Sequence, residues 1–195
     1  DPEEIIHTFE LKHNKNQLLI LFFSWLCVSI WFALHQTSLP LILTERLNFS
    51  ESNVWFIYTY VGIFAIIYQW LIIKHVLKIF NEKQMIVYGL VVMIIAYLWI
   101  ALNTTPFLIF FILPILPFWY WSINPASSSL TAKLAWKETW KALGISASYA
   151  SVWTIIWPIL AWYLYYMKDS FPYFFAVIIF IIIALIINVK IKDYE

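Results

Sequence analysis

Polar and aromatic side chains recur at helical spacing inside four long apolar stretches of this sequence. In the first stretch, Ser24, Trp31, His35 and Ser38 fall on one face of a helix. The other three stretches carry similar sets: Tyr58, Gly62, Ala65 and Gln69; Trp121, Asn124 and Ser128; Ser146, Tyr149 and Trp153. Such groups can hydrogen-bond to an organic molecule or stack on it, so the pattern favours recognition of a solute over bond-making chemistry.

Seven of these residues are the candidate solute contacts, because they lie deep in their stretches: Trp31, His35, Tyr58, Trp121, Asn124, Tyr149 and Trp153. His35 is the one histidine well inside a stretch, and an ionisable group at such a depth is a functional candidate. A neutral histidine hydrogen-bonded between helices is the structural alternative. Serine and threonine hydroxyls commonly bond to helix backbone. Aromatic residues near the ends of the stretches fit an interfacial belt: Trp55, Trp99, Tyr165 and Tyr166.

Enzymatic chemistry lacks the residues that it needs. Only one of the four histidines lies deep, so a haem held by two histidines on facing helices is excluded. The apolar stretches contain no Asp or Glu for a carboxylate–metal site or a protease dyad. The single Cys27 forms no internal disulfide or thiolate cluster, and three glycines cannot build a phosphate-binding loop. We therefore expect no enzyme, no cofactor and no metal.

The composition indicates a lipid environment. Of the 195 residues, 63% are hydrophobic and 12% are charged, and the mean hydropathy is +0.80. Soluble domains have about 45–50% apolar and about 25% charged residues, so this chain cannot cover a globule with charge. The net charge of +1 gives no electrostatic footprint for nucleic acid. The sequence predicts an integral membrane protein whose partner is the lipid bilayer.

The uncharged stretches give the number of spans. They cover 16–44, 52–73, 84–132, 142–167 and 170–189. A helix needs about 20 apolar residues to cross the hydrocarbon core, so 84–132 accommodates two helices, separated at Asn103-Thr104-Thr105-Pro106. The predicted fold is an all-α, six-transmembrane-helix bundle with spans near 18–43, 52–73, 85–102, 106–129, 142–166 and 171–189.

Basic residues are distributed unequally between the two sides of the predicted bundle. With six spans both chain ends lie on one side, and that side holds ten lysines, whereas the other side holds Arg46 and Lys168. Short loops rich in lysine and arginine face the cytoplasm. We therefore expect a multi-pass protein of the plasma (inner) membrane, with both termini of this segment cytoplasmic.

The two ends of the chain lie outside the predicted spans. Residues 1–17 form a cytoplasmic linker in which Asp1-Pro2 is typical of a helix start. Ile5, Ile6 and Phe9 then fall on one side, as in a helix on the membrane surface; a frayed linker is the alternative. Residues 190–195 form a cytoplasmic tail. Because the chain begins at Asp1 rather than Met, we expect a further piece upstream.

Several segments resemble, in their order and spacing, the C-terminal half of a major facilitator superfamily transporter. They are LTERLNFSESNVW between spans one and two, the basic turn from Lys74 to Lys83 with Gly89 in the next span, INPASSSL in span four, and GISASYASVWTIIWPIL in span five. The similarity covers about Leu18 to Asn188 and is greatest to the bacterial drug:proton antiporter branch. It implies that spans one, two, four and five line a cavity, as their polar residues also indicate.

The resemblance implies a function. Two six-helix halves would move a small organic solute by alternating access around a site between them, with or without proton coupling. This chain would be the C-terminal half, and its partner would be the missing N-terminal six-helix half. The alternative is a non-transporting membrane accessory or assembly subunit that retains the transporter fold. Lys74 and Asn81, at positions where the family has glycine, and Trp157 before Pro158 favour that alternative.

The predicted orientation can be tested with single cysteines. In a Cys27→Ser background, cysteine at position 83 or 137 should react with an impermeant thiol reagent only from the cytoplasmic side, and cysteine at position 168 only from outside. Labelling is measured in sealed cells and in inverted vesicles. Reaction of position 137 from outside the cell would overturn the orientation.

Overall fold

A computed structural model describes residues 17–22, 25, 29–30, 33–135 and 138–191 of the chain, with backbone only at 71–74, 77 and 118–121. Several residues lie outside these ranges: 1–16 of the predicted linker 1–17, the candidate contact Trp31, Lys137 and the last four residues of the predicted tail. So does Ser24 of the first polar stripe.

The described residues form helices and turns, with no strand among them, so the all-α class is confirmed. Residues 17–22, 25 and 29–30 are helical, and α1 covers 33–41 and continues as a π-helix at Ile42–Arg46. Helix α2 (Glu51–Ile67) passes through a π-helical segment, Tyr68–Ile72, into α3 (Ile73–Ile79). The remaining helices are α4 (Glu82–Leu102), α5 (Pro106–Ile112), α6 (Ile115–Ala135), α7 (Thr139–Met167) and α8 (Phe171–Lys190).

Local sequence sets the ends of these helices. The side chain of Asn81 accepts from the backbone N–H of Gln84 at 2.8 Å, and the Gln84 side chain accepts from the Asn81 N–H at 3.2 Å, which forms a capping box at the start of α4. The residues Asn103–Thr105 are not helical, and Pro106 opens α5. A proline costs little at that position, because its missing N–H would have no helical partner anyway.

A second break divides the predicted span at 106–129. The chain turns at Leu113 and Pro114 between α5 and α6. Proline lacks the N–H that would bond to the carbonyl four residues earlier, and its ring clashes with that carbonyl. The carbonyl in question belongs to Phe110, and it accepts a hydrogen bond of 3.2 Å from the Tyr60 hydroxyl of α2. The break in one helix is therefore compensated by a side chain from another.

Among the described residues, four helical segments are long and apolar enough to cross a membrane: Glu82–Leu102, Pro106–Ala135, Thr139–Met167 and Phe171–Lys190. The second of these joins α5 and α6 across the turn at Pro114. Helix α4 covers the predicted span at 85–102, α7 covers 142–166, and α8 covers 171–189.

Helix α4 is at the centre of the described packing. It packs most extensively against α8 and then against α6. At the contact with α8, the buried ring of Tyr97 meets Tyr173 edge to face at 5.3 Å and lies 5.5 Å from the ring of Phe180. From its apolar sequence alone, α4 is expected to lie at the outside of the bundle and to face lipid. One of its faces is instead covered by neighbouring helices, while Val91 and Ile95 on another face are exposed.

One end of the bundle is fixed by Arg46, whose side chain is 14% exposed. Its guanidinium donates to the carbonyl of Ile100 and, at 3.1 Å, to that of Ala101, near the C-terminal end of α4. It also pairs with the carboxylate of Asp169 at 3.2 Å, before α8. The Ser170 hydroxyl lies 3.0 Å from the Ala101 carbonyl and 2.9 Å from the other oxygen of Asp169. A single arginine thus joins α1, α4 and the turn before α8.

The opposite end of α4 carries a second ion pair. The ammonium of Lys133 on α6 contacts the carboxylate of Glu82, and the Ser129 hydroxyl donates to the same oxygen at 3.0 Å. Helix α4 is therefore tied to different neighbours at its two ends. The π-helical end of α1 that carries Arg46 and the turn that carries Asp169 share one end, whereas Glu82 and Lys133 share the other.

The Asp169 carboxylate should stabilise the fold in a pH-dependent way. Partial burial raises its pKa, but the hydrogen bond from Ser170 and the charge of Arg46 outweigh this effect and hold the pKa below its usual value. A carboxyl whose pKa is lower in the folded state stabilises above its unfolded pKa, near 3.9, and loses that contribution as the pH falls through the folded pKa.

We expect Asp169→Asn to lower the free energy of unfolding by about 1–2 kcal/mol at pH 7, because the arginine loses its charged partner. The difference from the wild type should shrink below about pH 4. Thermal unfolding in an uncharged detergent between pH 3 and 8 measures it. Glu51→Gln, which removes an exposed carboxylate at the start of α2, is the control. A difference that stays constant down to pH 3 would contradict the assignment.

Candidate functional site

Two of the predicted contact residues, His35 on α1 and Tyr58 on α2, touch each other. The Tyr58 hydroxyl donates to the backbone carbonyl of His35 at 2.6 Å, and the two rings meet edge to face with their centroids 5.2 Å apart. Both side chains are half-buried. Helix α2 reaches this position because Val54, Ile57 and Val61 form its buried stripe. The structure therefore brings an imidazole and a phenol together at one helix contact.

The next two predicted residues lie on α6, which packs against α2. Asn124 is half-buried, and its backbone carbonyl accepts a hydrogen bond from the Ser128 hydroxyl at 3.0 Å. Trp121 lies one turn earlier on the same helix, and its side chain is outside the described set. Pro125, inside α6, follows Asn124 directly. The hydroxyl of Ser128 therefore bonds to the backbone of its own helix, as is common for serine and threonine in helices.

The last two predicted residues, Tyr149 and Trp153, lie one turn apart on α7. Tyr149 is 52% exposed, and its ring stacks on Phe22 with a centroid distance of 6.0 Å. Trp153 is half-buried and stacks on Trp157 at 5.5 Å. Between them on the chain, the carbonyl of Ala150 lies 3.3 Å from the Ser29 hydroxyl. This part of α7 therefore lies beside the helical residues that precede α1.

The described contacts thus arrange the predicted residues in two groups. His35 and Tyr58 form one group at the contact of α1 with α2, and Tyr149 and Trp153 form the other along α7. The groups offer ring faces, an imidazole and a phenol oxygen, all of which suit hydrogen bonding to an uncharged or aromatic solute and stacking on it. Within the described ranges, no three His, Cys, Asp or Glu side chains lie close enough together to hold a metal ion.

Helix α7 is the least buried of the four apolar helices, and its exposed surface has two sides. Small and hydroxyl residues predominate on one side at helical spacing: Gly144, Ala147, Ser148, Ser151 and Thr154. The exposed Ile155 follows them on the same side. Large apolar residues form the other: Ile145, Val152, Ile156, Ile159 and Tyr163. We call these the hydroxyl stripe and the apolar stripe. A Cβ atom added to Gly144 would meet nothing within 4 Å, so the hydroxyl stripe is open in the described chain.

The hydroxyl groups of this stripe are satisfied by their own helix. Ser148 donates to the carbonyl of Gly144 at 2.9 Å, Ser151 to that of Ala147 at 2.9 Å, and Thr154 to that of Ser151 at 2.7 Å. The stripe therefore presents hydroxyl oxygens, which accept further hydrogen bonds, without an unpaired donor.

The sequence patterns missed the polar cluster at the Arg46 end. In the distribution of basic residues Arg46 is only a loop charge, although it is the single arginine of the sequence and lies three residues after a predicted span. Guanidinium is the cation best suited to a buried site with several acceptors. A single arginine close to the end of a predicted span therefore indicates such a site. The bond of 2.9 Å from the Tyr165 hydroxyl to Glu45, beside Arg46, joins residues 120 positions apart and left no such signal.

Comparison with known proteins identifies no family for this chain. No protein-family model matches it, and no curated protein matches it either. The resemblance to a transporter half therefore depends on the sequence segments quoted above alone.

Proposed function

We propose that the chain is the C-terminal six-helix half of a secondary transporter, which moves a small organic solute across the plasma (inner) membrane by alternating access. In this proposal the seven candidate contacts face the solute, and an N-terminal six-helix half completes the site. The two groups of aromatic and polar residues, on α1, α2 and α7, supply the part of the site that belongs to this chain.

The hydroxyl stripe of α7 is the observation that carries the proposal. A helix surrounded only by lipid is expected to be apolar all round, because polar groups in hydrocarbon are unfavourable. Here the exposed surface divides into an apolar stripe, suited to lipid or to an apolar helix, and a stripe of small and hydroxyl residues. Small residues also permit close approach of another helix. The hydroxyl stripe therefore suits a surface that faces water or a second helical half.

The six-span arrangement in this proposal adds two helices to the four that are apolar and long enough. Helical structure continues without a break from Glu51 through the π-helical segment to Ile79, which at 1.5 Å per residue exceeds the thickness of the hydrocarbon core of about 30 Å. The other is α1 together with the helical residues before it. Both termini of this segment then lie on the side of Lys133, as the distribution of lysines indicates.

A specific contact favours the alternative of a non-transporting accessory subunit. Trp157, before Pro158, is 6% exposed, stacks on Trp153 and lies 6.0 Å from the ring of Phe175 on α8. The indole fills the contact of α7 with α8. A bulky ring at this place resists sliding of one helix on the other, which suits a static scaffold better than a moving half.

Cysteine substitution along α7 distinguishes the two surfaces. In a Cys27→Ser background, Ser148→Cys and Ser151→Cys should react with a water-soluble thiol reagent, because the hydroxyl stripe would line the aqueous pathway in one state of the transport cycle. The matched variants Val152→Cys and Ile156→Cys on the apolar stripe should stay unreactive in the lipid. Labelling is followed by gel shift in native membranes.

The result also separates the two functions. A reactive hydroxyl stripe next to an unreactive apolar stripe supports the transporter. Equal labelling of both stripes, or protection of both stripes, contradicts it and leaves the accessory role as the better account.

His35→Gln tests the part played by the imidazole. We expect proton-driven accumulation of solute and counterflow exchange to weaken together, by about tenfold for a lost hydrogen bond in a buried site, because the predicted spans of this chain contain no carboxylate to share a proton. Both activities are measured in proteoliposomes that contain the two halves. Tyr60→Phe, which removes the bond of another α2 tyrosine to the Phe110 carbonyl and is not a candidate contact, is the control for helix positioning.

The other outcomes have defined meanings. Loss of accumulation with exchange intact would make His35 the coupling group and overturn our expectation. A lower thermal stability with full activity in the remaining folded protein would make its role structural.

A further inference from the structure

A pocket of about 380 Å³ opens at the Arg46 end of the bundle. Its chemistry comes from the last turn of α1, the end of α7 and the turn before α8: Glu45, Trp162, Tyr165, Tyr166, Lys168 and Asp169. This volume lies within the range of small-molecule sites in proteins. None of the five candidate solute contacts whose side chains the structure describes lines it, so the pocket is separate from that part of the site proposed above.

The two carboxylates of the pocket differ in their availability. Asp169 is held by Arg46 at 3.2 Å, so its charge is already compensated. Glu45 is exposed and makes no ion pair within the described part of the chain. The Tyr165 hydroxyl donates to Oε2 of Glu45 at 2.9 Å, which orients the carboxylate and leaves Oε1 for a ligand. The pocket therefore presents one oriented negative charge.

Two aromatic rings form the wall of the pocket on α7. Trp162 and Tyr166, one turn apart, are 59% and 82% exposed, and their rings lie nearly parallel with centroids 6.2 Å apart. The face of such a ring carries negative potential and attracts a cation, in particular a quaternary or primary ammonium group. A carboxylate next to exposed rings is the combination that recognises organic ammonium compounds.

Lys168 brings a positive charge to the same pocket. Its ammonium makes no ion pair with the residues that the structure describes, and it lies 5.9 Å from the centroid of the Phe171 ring. Once Asp169 is paired with Arg46, the pocket is left with one carboxylate and one ammonium that have no charged partner among the described residues. A purely cationic ligand would meet the charge of Lys168, and a purely anionic one would meet that of Glu45.

We propose that this pocket binds a zwitterionic ammonium compound. Glu45 and the rings of Trp162 and Tyr166 hold the cationic group of the ligand, and Lys168 holds its anionic group. Tyr165 is a positioning residue that fixes the carboxylate of Glu45. The proposal stands on the pocket alone and does not require that the chain transports anything.

Two sources can supply such a ligand. Aromatic residues at the end of a transmembrane helix commonly lie at the level of the lipid headgroups, and phosphatidylcholine presents a zwitterion at that depth. A soluble zwitterion such as phosphocholine carries the same two groups. The belt interpretation explains the exposure of the rings, but it does not explain a carboxylate oriented beside them or the uncompensated lysine.

Equilibrium dialysis with radiolabelled phosphocholine tests the site, with the full chain purified in an uncharged maltoside detergent. Saturable binding is expected. Glu45→Gln, Lys168→Gln and Trp162→Leu should each weaken it by about fivefold or more, the change typical of a partly exposed ion pair or cation–π contact. Tyr165→Phe should weaken it less, since Glu45 keeps its charge. Melting temperatures of the variants establish that they are folded.

The matched controls are Glu51→Gln, an exposed carboxylate at the same end of the bundle, and Lys78→Gln, an exposed lysine on α3. Neither lines the pocket, so both should bind as the wild type does. Choline, which lacks the anion, and inorganic phosphate, which lacks the cation, should each bind more weakly than phosphocholine.

Three results would overturn the proposal: no saturable binding of phosphocholine, equal losses in the control and pocket variants, or choline bound as tightly as phosphocholine with no effect of Lys168→Gln.

Binding in lipid nanodiscs then identifies the source of the ligand. Phosphatidylcholine discs that suppress phosphocholine binding, when phosphatidylglycerol discs do not, support the lipid headgroup; phosphocholine binding that is unchanged in both kinds of disc supports the soluble zwitterion.

Discussion

Side-chain donors that reach the backbone carbonyls of neighbouring helices hold this bundle together. Arg46 binds the carbonyl of Ala101 at the end of α4, Tyr60 binds that of Phe110 before the break at Pro114, and Tyr58 binds a carbonyl of α1. In apolar surroundings an unpaired carbonyl costs about as much as a lost hydrogen bond or more. Positions at which a helix ends or breaks therefore depend on a donor supplied from elsewhere in the chain.

The same constraint determines which polar groups remain for ligands. Arg46 binds the end of α4 and Asp169, so Glu45 beside it has no charged partner in the part of the chain that the structure describes and faces the pocket. The hydroxyl hydrogen of Tyr58 is committed to a backbone carbonyl, so the ring and oxygen lone pairs are what it can offer a solute. The polar groups that can bind a ligand in this bundle are therefore those that do not already bond to the backbone.

The sequence predicted what is local. The helical class and the turn before Pro106 follow from the residues within a few positions. The contact of His35 with Tyr58 joins two predicted stripes only 23 residues apart. The bonds of Arg46 reach 55 and 123 residues along the chain, and no spacing rule encodes them. The exposure of a side chain, such as that of half-exposed Tyr149, depends on which other helix covers it. The helical periodicity of the sequence does not specify that helix.

The hydroxyl stripe of α7 has a property that matters for a moving interface. The Ser148 and Ser151 hydroxyls donate to their own helix, so wetting or covering the stripe leaves no donor unpaired. A permanent subunit contact gains most when such groups bond across the interface, because those bonds fix one arrangement. Groups satisfied within their own helix suit a surface that is alternately wet and dry. Trp157 lies on a different side of α7, buried 6.0 Å from the ring of Phe175 on α8, so the contact with α8 leaves the hydroxyl stripe uncovered.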